Sequence, residues 1–190
     1  LDETIIRYNG VERLAYLMYT QDFWTPVPYI LYILKNVESK RERDNIFSYM
    51  ESYLMRRLIC KSKNNSYSDM FSENLIGQGV NTFETFKAYV NDSVARGTLL
   101  MPSDEEVLEA VKHNDLKRDA QVILYMLESR LNEAFSTSSH DNCFNIFVKE
   151  QIMPEKADEN WPLGAGVTEE QRSDLAKTLG NFIILREKLQ

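Results

Sequence analysis

The chain has 190 residues, of which 43% are hydrophobic and 27% charged, and it carries a net charge of −7. These proportions are ordinary for a soluble globular protein and allow one good core or two small ones. The acidic balance argues against a dedicated DNA-binding module, so any contact with nucleic acid must come from a local basic patch or from another domain.

Helical periodicity dominates most of the chain, and the scarcity of Gly and Pro favours helices over a turn-rich β sandwich. The predicted helices cover residues 11–21, 29–35, 40–60, 67–75, 82–90, 104–113 and 117–135. Two of them begin at clear caps, since Thr82 precedes one and Ser103 forms a capping box with Glu106 at the start of another. We therefore predict a helical bundle over residues 1–135.

Towards its carboxyl end the sequence changes from helical periodicity to strand-like segments. Residues 145–152 and Phe182–Leu185 are rich in apolar and β-branched side chains, which predicts two strands. Between them, Thr168 and Gln171 form a capping box before a short helix. The predicted fold class is mainly α, with a small β-containing region over residues 136–190 that forms either a separate domain or one compact unit with the bundle.

Several features of the sequence bear on the cellular compartment in which the protein resides. Cys60 and Cys143 lie far apart in the sequence and belong to no CxxC motif, which favours reduced thiols over a structural disulfide or a zinc site. The longest apolar stretch, residues 29–34, is too short to cross a bilayer, and no signal peptide opens the chain. The chain begins without Met, as a piece of a longer protein would. We expect a cytoplasmic protein with no membrane partner.

Two short motifs carry most of the functional information. The first is Glu150-Gln151-Ile152-Met153-Pro154, and the second is Leu179-Gly180-Asn181-Phe182-Ile183-Ile184-Leu185, with Trp161 between them. Their order and spacing resemble the C-terminal domain of the GmrSD type IV restriction endonucleases, in which an EHIxP-like strand is followed by a Trp and an LGNLTLL-like strand. More diffuse similarity covers residues 49–60, 102–106 and 124–128.

The resemblance implies a ββα-metal site, also called a His-Me finger or HNH-like site, for metal-dependent hydrolysis of DNA phosphodiesters. In that family a strand His is the general base, the preceding acid binds one divalent metal, usually Mg²⁺, and the LGN Asn orients the His. Carried over by position, Gln151 stands at the base position and Asn181 at the orienting position. Glu150 is then a metal ligand, and Gln190 lies about where a helix Asn that also holds the metal begins.

Two features depart from the family pattern. A glutamine amide at position 151 cannot accept a proton near pH 7, and general-base catalysis typically contributes about 10²–10⁴-fold to a rate. The chain also stops at Gln190, before the α element of ββα, so the implied fold is a helical bundle followed by the β-hairpin of a truncated ββα-metal motif. A single carboxylate binds Mg²⁺ weakly. We therefore expect this chain to be inactive or nearly so.

The family also implies partners. DNA is contacted through the full-length protein, and an N-terminal nucleotide-dependent domain or subunit recognises modified DNA in phage defence. No motif of that module occurs in this sequence. The competing hypothesis is a non-catalytic helical interaction or regulatory module that kept the scaffold and lost the chemistry. The oligomeric state is open, a homo-oligomer included.

Each candidate residue also has a structural explanation. Glu150 and Gln151 fit solvated positions on a strand, and Asn181 fits a turn that tolerates the left-handed conformation. His113 fits a helix C-terminus, where the helix dipole favours a cation. His140 lies in a polar loop shortly before the first motif and is the candidate replacement base.

The remaining candidates are basic and aromatic. The best basic cluster consists of Arg56, Arg57, Lys61 and Lys63, and it is either a phosphate-contacting patch or a solvated helix end. The tyrosines at helical positions are predicted to pack in or near the core rather than stack on bases, and they are Tyr16, Tyr29, Tyr32, Tyr49, Tyr53 and Tyr89.

Overall fold

The computed structural model describes residues 10–92, 99–131, 147–156 and 158–186 of the chain. The chain divides into two compact units, the first formed by Leu1–Leu58 and Ser62–Pro102 and the second by Ile59–Lys61 and Ser103–Gln190. The domain boundary predicted at residue 136 lies outside the described residues and stays a prediction.

The first unit is built from helices. They are α1 (Val11–Thr20), α2 (Val27–Asn36), α3 (Lys40–Ile59), α4 (Tyr67–Asp69), α5 (Leu75–Gly77) and α6 (Phe83–Asn91). A π-helical turn, Met70–Asn74, joins α4 to α5. Pro28 lies in the first turn of α2, where its missing N–H costs no helical hydrogen bond. The predicted cap of α6 is confirmed, because the Thr82 hydroxyl accepts a hydrogen bond from the Thr85 N–H at 3.1 Å.

Aromatic rings fill the core of the first unit. The rings of Tyr29 and Phe86 stack with their centroids 5.7 Å apart, and Tyr53 meets Tyr67 at 6.2 Å. Such pairs add to the stability that comes from burying their area. The predicted packing role is confirmed for Tyr16, Tyr29, Tyr53 and Tyr89, which are buried, while Tyr32 and Tyr49 are half-buried.

For Arg57, both interpretations of the basic cluster are wrong. It is only 3% exposed, and its guanidinium lies over the rings of Tyr53 and Tyr67 at 5.4 and 5.1 Å. Its Nε also donates to the Tyr67 hydroxyl at 2.5 Å. Arg56 donates to the carbonyl of Pro102 at 3.1 Å. Arg57 is therefore a core residue, neither solvated nor open to a phosphate.

The second unit combines helices with a small sheet. Its elements are α7 (Asp104–His113), α8 (Ala120–Leu131), β1 (Phe147–Gln151), α9 (Glu169–Leu175), a 3-10 turn (Leu179–Asn181) and β2 (Phe182–Arg186). Both predicted capping boxes are confirmed, one between Ser103 and Glu106 and the other between Thr168 and Gln171. These reciprocal bonds explain where α7 and α9 begin.

Helix α8 begins at Ala120, three residues later than predicted. The residues before it form a turn instead, in which the Asp115 carboxylate accepts from the Lys117 N–H at 3.1 Å. The N–H of buried Leu116 donates to the carbonyl of Lys177 at 2.9 Å. A long-range backbone bond therefore overrides the local helical pattern at this end of α8.

Strands β1 and β2 form a two-stranded antiparallel sheet, as predicted. Glu150 is opposite Ile183 and Gln151 is opposite Phe182. The two motifs thus lie side by side although 30 residues separate the end of β1 from the start of β2. The predicted fold class, mainly α with a small β element near the carboxyl end, is confirmed.

The two faces of this sheet have different surroundings. Side chains alternate along a strand, so Phe147, Lys149 and Gln151 share one face and Glu150 belongs to the other. The first face packs against α8, since the rings of Tyr125 and Phe147 lie 5.9 Å apart. Glu150 and Gln151 therefore point away from each other, although they are neighbours in sequence.

Two observations bear on the environment of the chain. Within the described ranges, no helix has both the length and the apolar character that a membrane span requires. The prediction of reduced thiols stays a prediction, because Cys143 lies outside the described residues.

Candidate functional site

Gln151, the residue at the predicted base position, is the last residue of β1 and is half-buried. Its side-chain amide donates a hydrogen bond to the carbonyl oxygen of Ala176 at 3.1 Å. Ala176 is buried and follows the last residue of α9. The residue at position 151 is thus held by a backbone acceptor just before the second motif.

Asn181 makes hydrogen bonds through every polar atom of its side chain. Its Oδ1 accepts from the Met153 N–H at 2.7 Å, and its Nδ2 donates to the Met153 carbonyl and to the Ala176 carbonyl, both at 2.8 Å. Its own carbonyl accepts from the Ile152 N–H at 2.9 Å. The side chain is 7% exposed. Asn181 therefore fixes the turn that follows β1, and it shares the Ala176 carbonyl with Gln151.

This arrangement makes Asn181 important for stability. We expect Asn181→Ala to lower the free energy of unfolding of the second unit by about 2 kcal/mol, because it leaves the Met153 N–H and carbonyl without their partner. The measurement is urea unfolding followed by Trp161 fluorescence in a Trp24→Phe background, which leaves one Trp as the reporter. Asn160→Ala at an exposed site is the control, and a loss as small as the control's contradicts the prediction.

Glu150 lies on the face of the sheet away from Gln151 and is half-buried. Its cross-strand neighbour Ile183 is 39% exposed, and Ile152 on the same face is 49% exposed. The carboxylate therefore belongs to a partly solvated apolar face. Asn181 directs its side chain to Met153 and Ala176 rather than towards this carboxylate.

The part of the chain that the structure describes contains no ligand set for the predicted metal. No group of three or more His, Cys, Asp or Glu side chains that could hold an ion occurs there. Gln190, the second predicted ligand, lies outside the described residues. Mg²⁺ requires near-octahedral oxygen ligands, and Glu150 supplies one carboxylate. The described side chains by themselves do not fit Mg²⁺.

The other predicted residues do not join this site. His113 lies at the end of α7, and its Nε2 is 3.3 Å from the Glu109 carboxylate on the same helix, in agreement with the helix-end interpretation. His140 lies outside the described residues. Lys61 donates to the Asp119 carboxylate at 2.7 Å.

Arg172 contacts the segment between the two motifs and was missed from the sequence. It is 4% exposed, its Nε donates to the Pro154 carbonyl at 3.2 Å, and its NH1 donates to the Pro162 carbonyl at 3.3 Å. Leu175 on the same helix is 52% exposed, so the burial along α9 does not follow the polarity of its residues. Local periodicity therefore held no signal for this contact.

Comparison with known proteins agrees with the motifs. One family matches the chain, described as GmrSD restriction endonucleases, C-terminal domain, and the match covers residues 101–189. The matched segment includes α7, α8, α9 and both strands. No curated protein and no solved structure matched the chain. Residues 101–189 of this chain are therefore similar to the C-terminal domains of GmrSD restriction endonucleases.

Proposed function

We propose that the second unit is the nuclease scaffold of a restriction endonuclease that hydrolyses DNA phosphodiesters, and that Gln151 impairs its catalysis. The support is the family match together with the pairing of the two motifs in one antiparallel sheet. Beyond the family match, we assign a His-Me finger site and roles to individual residues.

The observation that carries this proposal is the bond from the Gln151 amide to the Ala176 carbonyl, beside Asn181. A histidine in this place has two ring nitrogens with different tasks. One N–H donates to the backbone carbonyl, which fixes the tautomer, and the other nitrogen is left to accept a proton from water. Gln151 keeps the first task and lacks the second, because a neutral amide has no basic nitrogen.

In this proposal Asn181 is a positioning residue. It holds the Ala176 carbonyl and both backbone groups of Met153, so it defines where the side chain at position 151 is anchored. It acts through the backbone and touches no reacting atom.

A divalent metal, Mg²⁺ in the family, would supply stabilisation of negative charge on the scissile phosphate. We assign Glu150 as one ligand by its place in the motif, with Gln190 as the second. The described residues do not complete a ligand set for it.

The remaining parts of the proposal follow from the family. The substrate is DNA, contacted by the full-length protein in the cytoplasm. A nucleotide-dependent N-terminal domain or subunit that selects modified DNA would place this unit in phage defence.

The test is a plasmid-nicking assay. Supercoiled plasmid is incubated with the full-length protein or with its Gln151→His variant in Mg²⁺ or Mn²⁺, and relaxed circles are counted. The proposal expects little or no nicking by the natural chain and clear nicking by the variant. A variant that folds normally, binds no metal and cuts nothing would reject it.

A second candidate function is a non-catalytic interaction or regulatory module. Its support is that Gln151 and Asn181 both bond to backbone groups and thereby stabilise the turn between the motifs. On this hypothesis the amide at position 151 has been kept for structure. The two candidates differ in the assay, since a structural module gains no activity from histidine at position 151.

A further inference from the structure

Lysines from distant parts of the sequence meet in the second unit, and one of them pairs with a carboxylate. The Lys117 ammonium donates to the Glu155 carboxylate, and the Lys149 ammonium donates to the backbone carbonyl of Lys117. The Lys149 ammonium also lies 5.3 Å from the centre of the Phe182 ring. These contacts bring the turn before α8, strand β1 and the segment after Pro154 together.

Lys177 completes the group. The Leu116 N–H donates to the Lys177 carbonyl at 2.9 Å, which joins the backbone beside Lys177 to the turn before α8. The hydrogen bond from Lys117 lowers the pKa of Glu155, and the charges of Lys117 and Lys177 lower it further. We call Lys117, Lys149 and Lys177 the lysine cluster.

The lysine cluster has a local excess of positive charge. The charge of Asp115 raises the pKa of Glu155 and therefore acts within this region. Asp119 accepts from Lys61 at 2.7 Å, and Glu150 lies on the opposite face of the sheet. Lys117, Lys149 and Lys177 thus outnumber Glu155 and Asp115, in a chain whose net charge is −7.

Members of the lysine cluster are neighbours of Gln151 and of its hydrogen-bond acceptor. Lys149 precedes Gln151 by two residues and shares its face of β1. Lys177 directly follows Ala176, whose carbonyl accepts the Gln151 amide. The cations therefore border the residue at which the proposed chemistry would take place.

We infer that the lysine cluster binds the phosphate backbone of DNA and leads it past position 151, with Glu155 as an internal competitor for Lys117. This inference rests on the proposed function, because it supplies the electrostatic contact that the acidic chain otherwise lacks. Lysine–phosphate contacts position a duplex without reading its sequence. Each contact releases counterions, so it shows itself in the salt dependence of binding.

The test measures binding of a short fluorescent duplex by anisotropy, with the natural Gln151 and without divalent metal. Lys117→Gln, Lys149→Gln and Lys177→Gln keep the length of the stems and remove the charge. Each is expected to reduce the log–log salt slope by about one, so the loss of affinity between about 50 and 200 mM salt shrinks about fourfold. Two duplexes of unrelated sequence should respond alike.

Of two further variants, one should change the salt slope in the opposite direction and the other is the control. Glu155→Gln releases Lys117 and is expected to steepen the salt slope by about one, opposite to the lysine variants. Lys112→Gln is the matched control, because Lys112 is exposed and pairs with a glutamate, Glu109, at 2.7 Å on α7. Its slope should equal that of the natural chain. Thermal unfolding of all variants verifies their folding.

The outcomes separate this inference from the proposed function. Unchanged slopes in the three lysine variants, or an equal loss in Lys112→Gln, reject the lysine cluster. Nicking by Gln151→His alongside such unchanged slopes leaves the proposed function standing. The expected slopes without nicking by Gln151→His support the DNA-contacting surface and reject the proposed chemistry.

Discussion

Replacing Gln151 by histidine is expected to raise the plasmid-nicking rate by about 10²–10⁴-fold, the usual contribution of a general base. The site around position 151 already has the acceptor that a histidine needs. The Ala176 carbonyl lies 3.1 Å from the Gln151 amide nitrogen, and Asn181 holds the same carbonyl from the other side. The new side chain therefore enters a place that fixes its tautomer.

The pH dependence of the gained activity has a definite sign. The neutral imidazole is the base, so the nicking rate of the variant should rise as pH increases through the pKa of the new histidine, roughly 6.5 without perturbation. The natural chain has no titrating group at position 151 and should show no such rise. A gain in rate that does not depend on pH in this range argues against a general base.

A matched control exists within the same unit. Gln121 on α8 is half-buried, and its amide donates to the Phe147 carbonyl at 3.0 Å, much as Gln151 donates to Ala176. Gln121→His therefore introduces the same side chain against a backbone acceptor outside the two motifs. Nicking by Gln151→His but not by Gln121→His supports the assignment. Equal behaviour of the two variants contradicts it.

Local signals predicted the boundaries of many elements. Capping boxes at Ser103 and Thr168 require only residues three positions apart, so the sequence displays them directly. The antiparallel pairing of β1 and β2 was predicted from the family resemblance, and their register in the structure places Gln151 opposite Phe182. Where local rules failed, as at the start of α8, a long-range backbone bond decided the outcome.

The contacts within the candidate site could not be predicted from such local signals. The acceptor for both Gln151 and Asn181 is a backbone carbonyl, which every residue has, so nothing in the sequence marks Ala176. Lys117 and Lys149 meet only after folding, since 32 positions separate them. Motif matching named Gln151, Asn181 and Glu150 but not the contacts that determine what each side chain touches.

The helical pattern of the sequence did not predict the buried charges in the first unit either. Arg13 lies on α1 beside apolar residues, and its Nε and NH2 each donate to a separate oxygen of Glu51 on α3 at 2.8 Å. The two side chains are 0% and 8% exposed. A bidentate pair of this kind joins two helices at 38 positions of separation.

Glu51→Gln is expected to lower the free energy of unfolding of the first unit by about 3–5 kcal/mol, because it removes the carboxylate charge that lies 2.8 Å from the buried Arg13 guanidinium. Urea unfolding followed by Trp24 fluorescence in a Trp161→Phe background measures it. Lys40→Gln breaks the exposed pair with Asp44 and should cost no more than about 1 kcal/mol.

The double variant Arg13→Met/Glu51→Leu distinguishes the cost of an orphaned charge from the value of the pair. Apolar side chains of similar volume require no countercharge, so the double variant should recover most of the stability that Glu51→Gln loses. A double variant as unstable as Glu51→Gln would mean that the ion pair itself holds α1 on α3. Recovery would mean that the surrounding apolar contacts supply the stability, and that the ion pair determines which residue Arg13 pairs with.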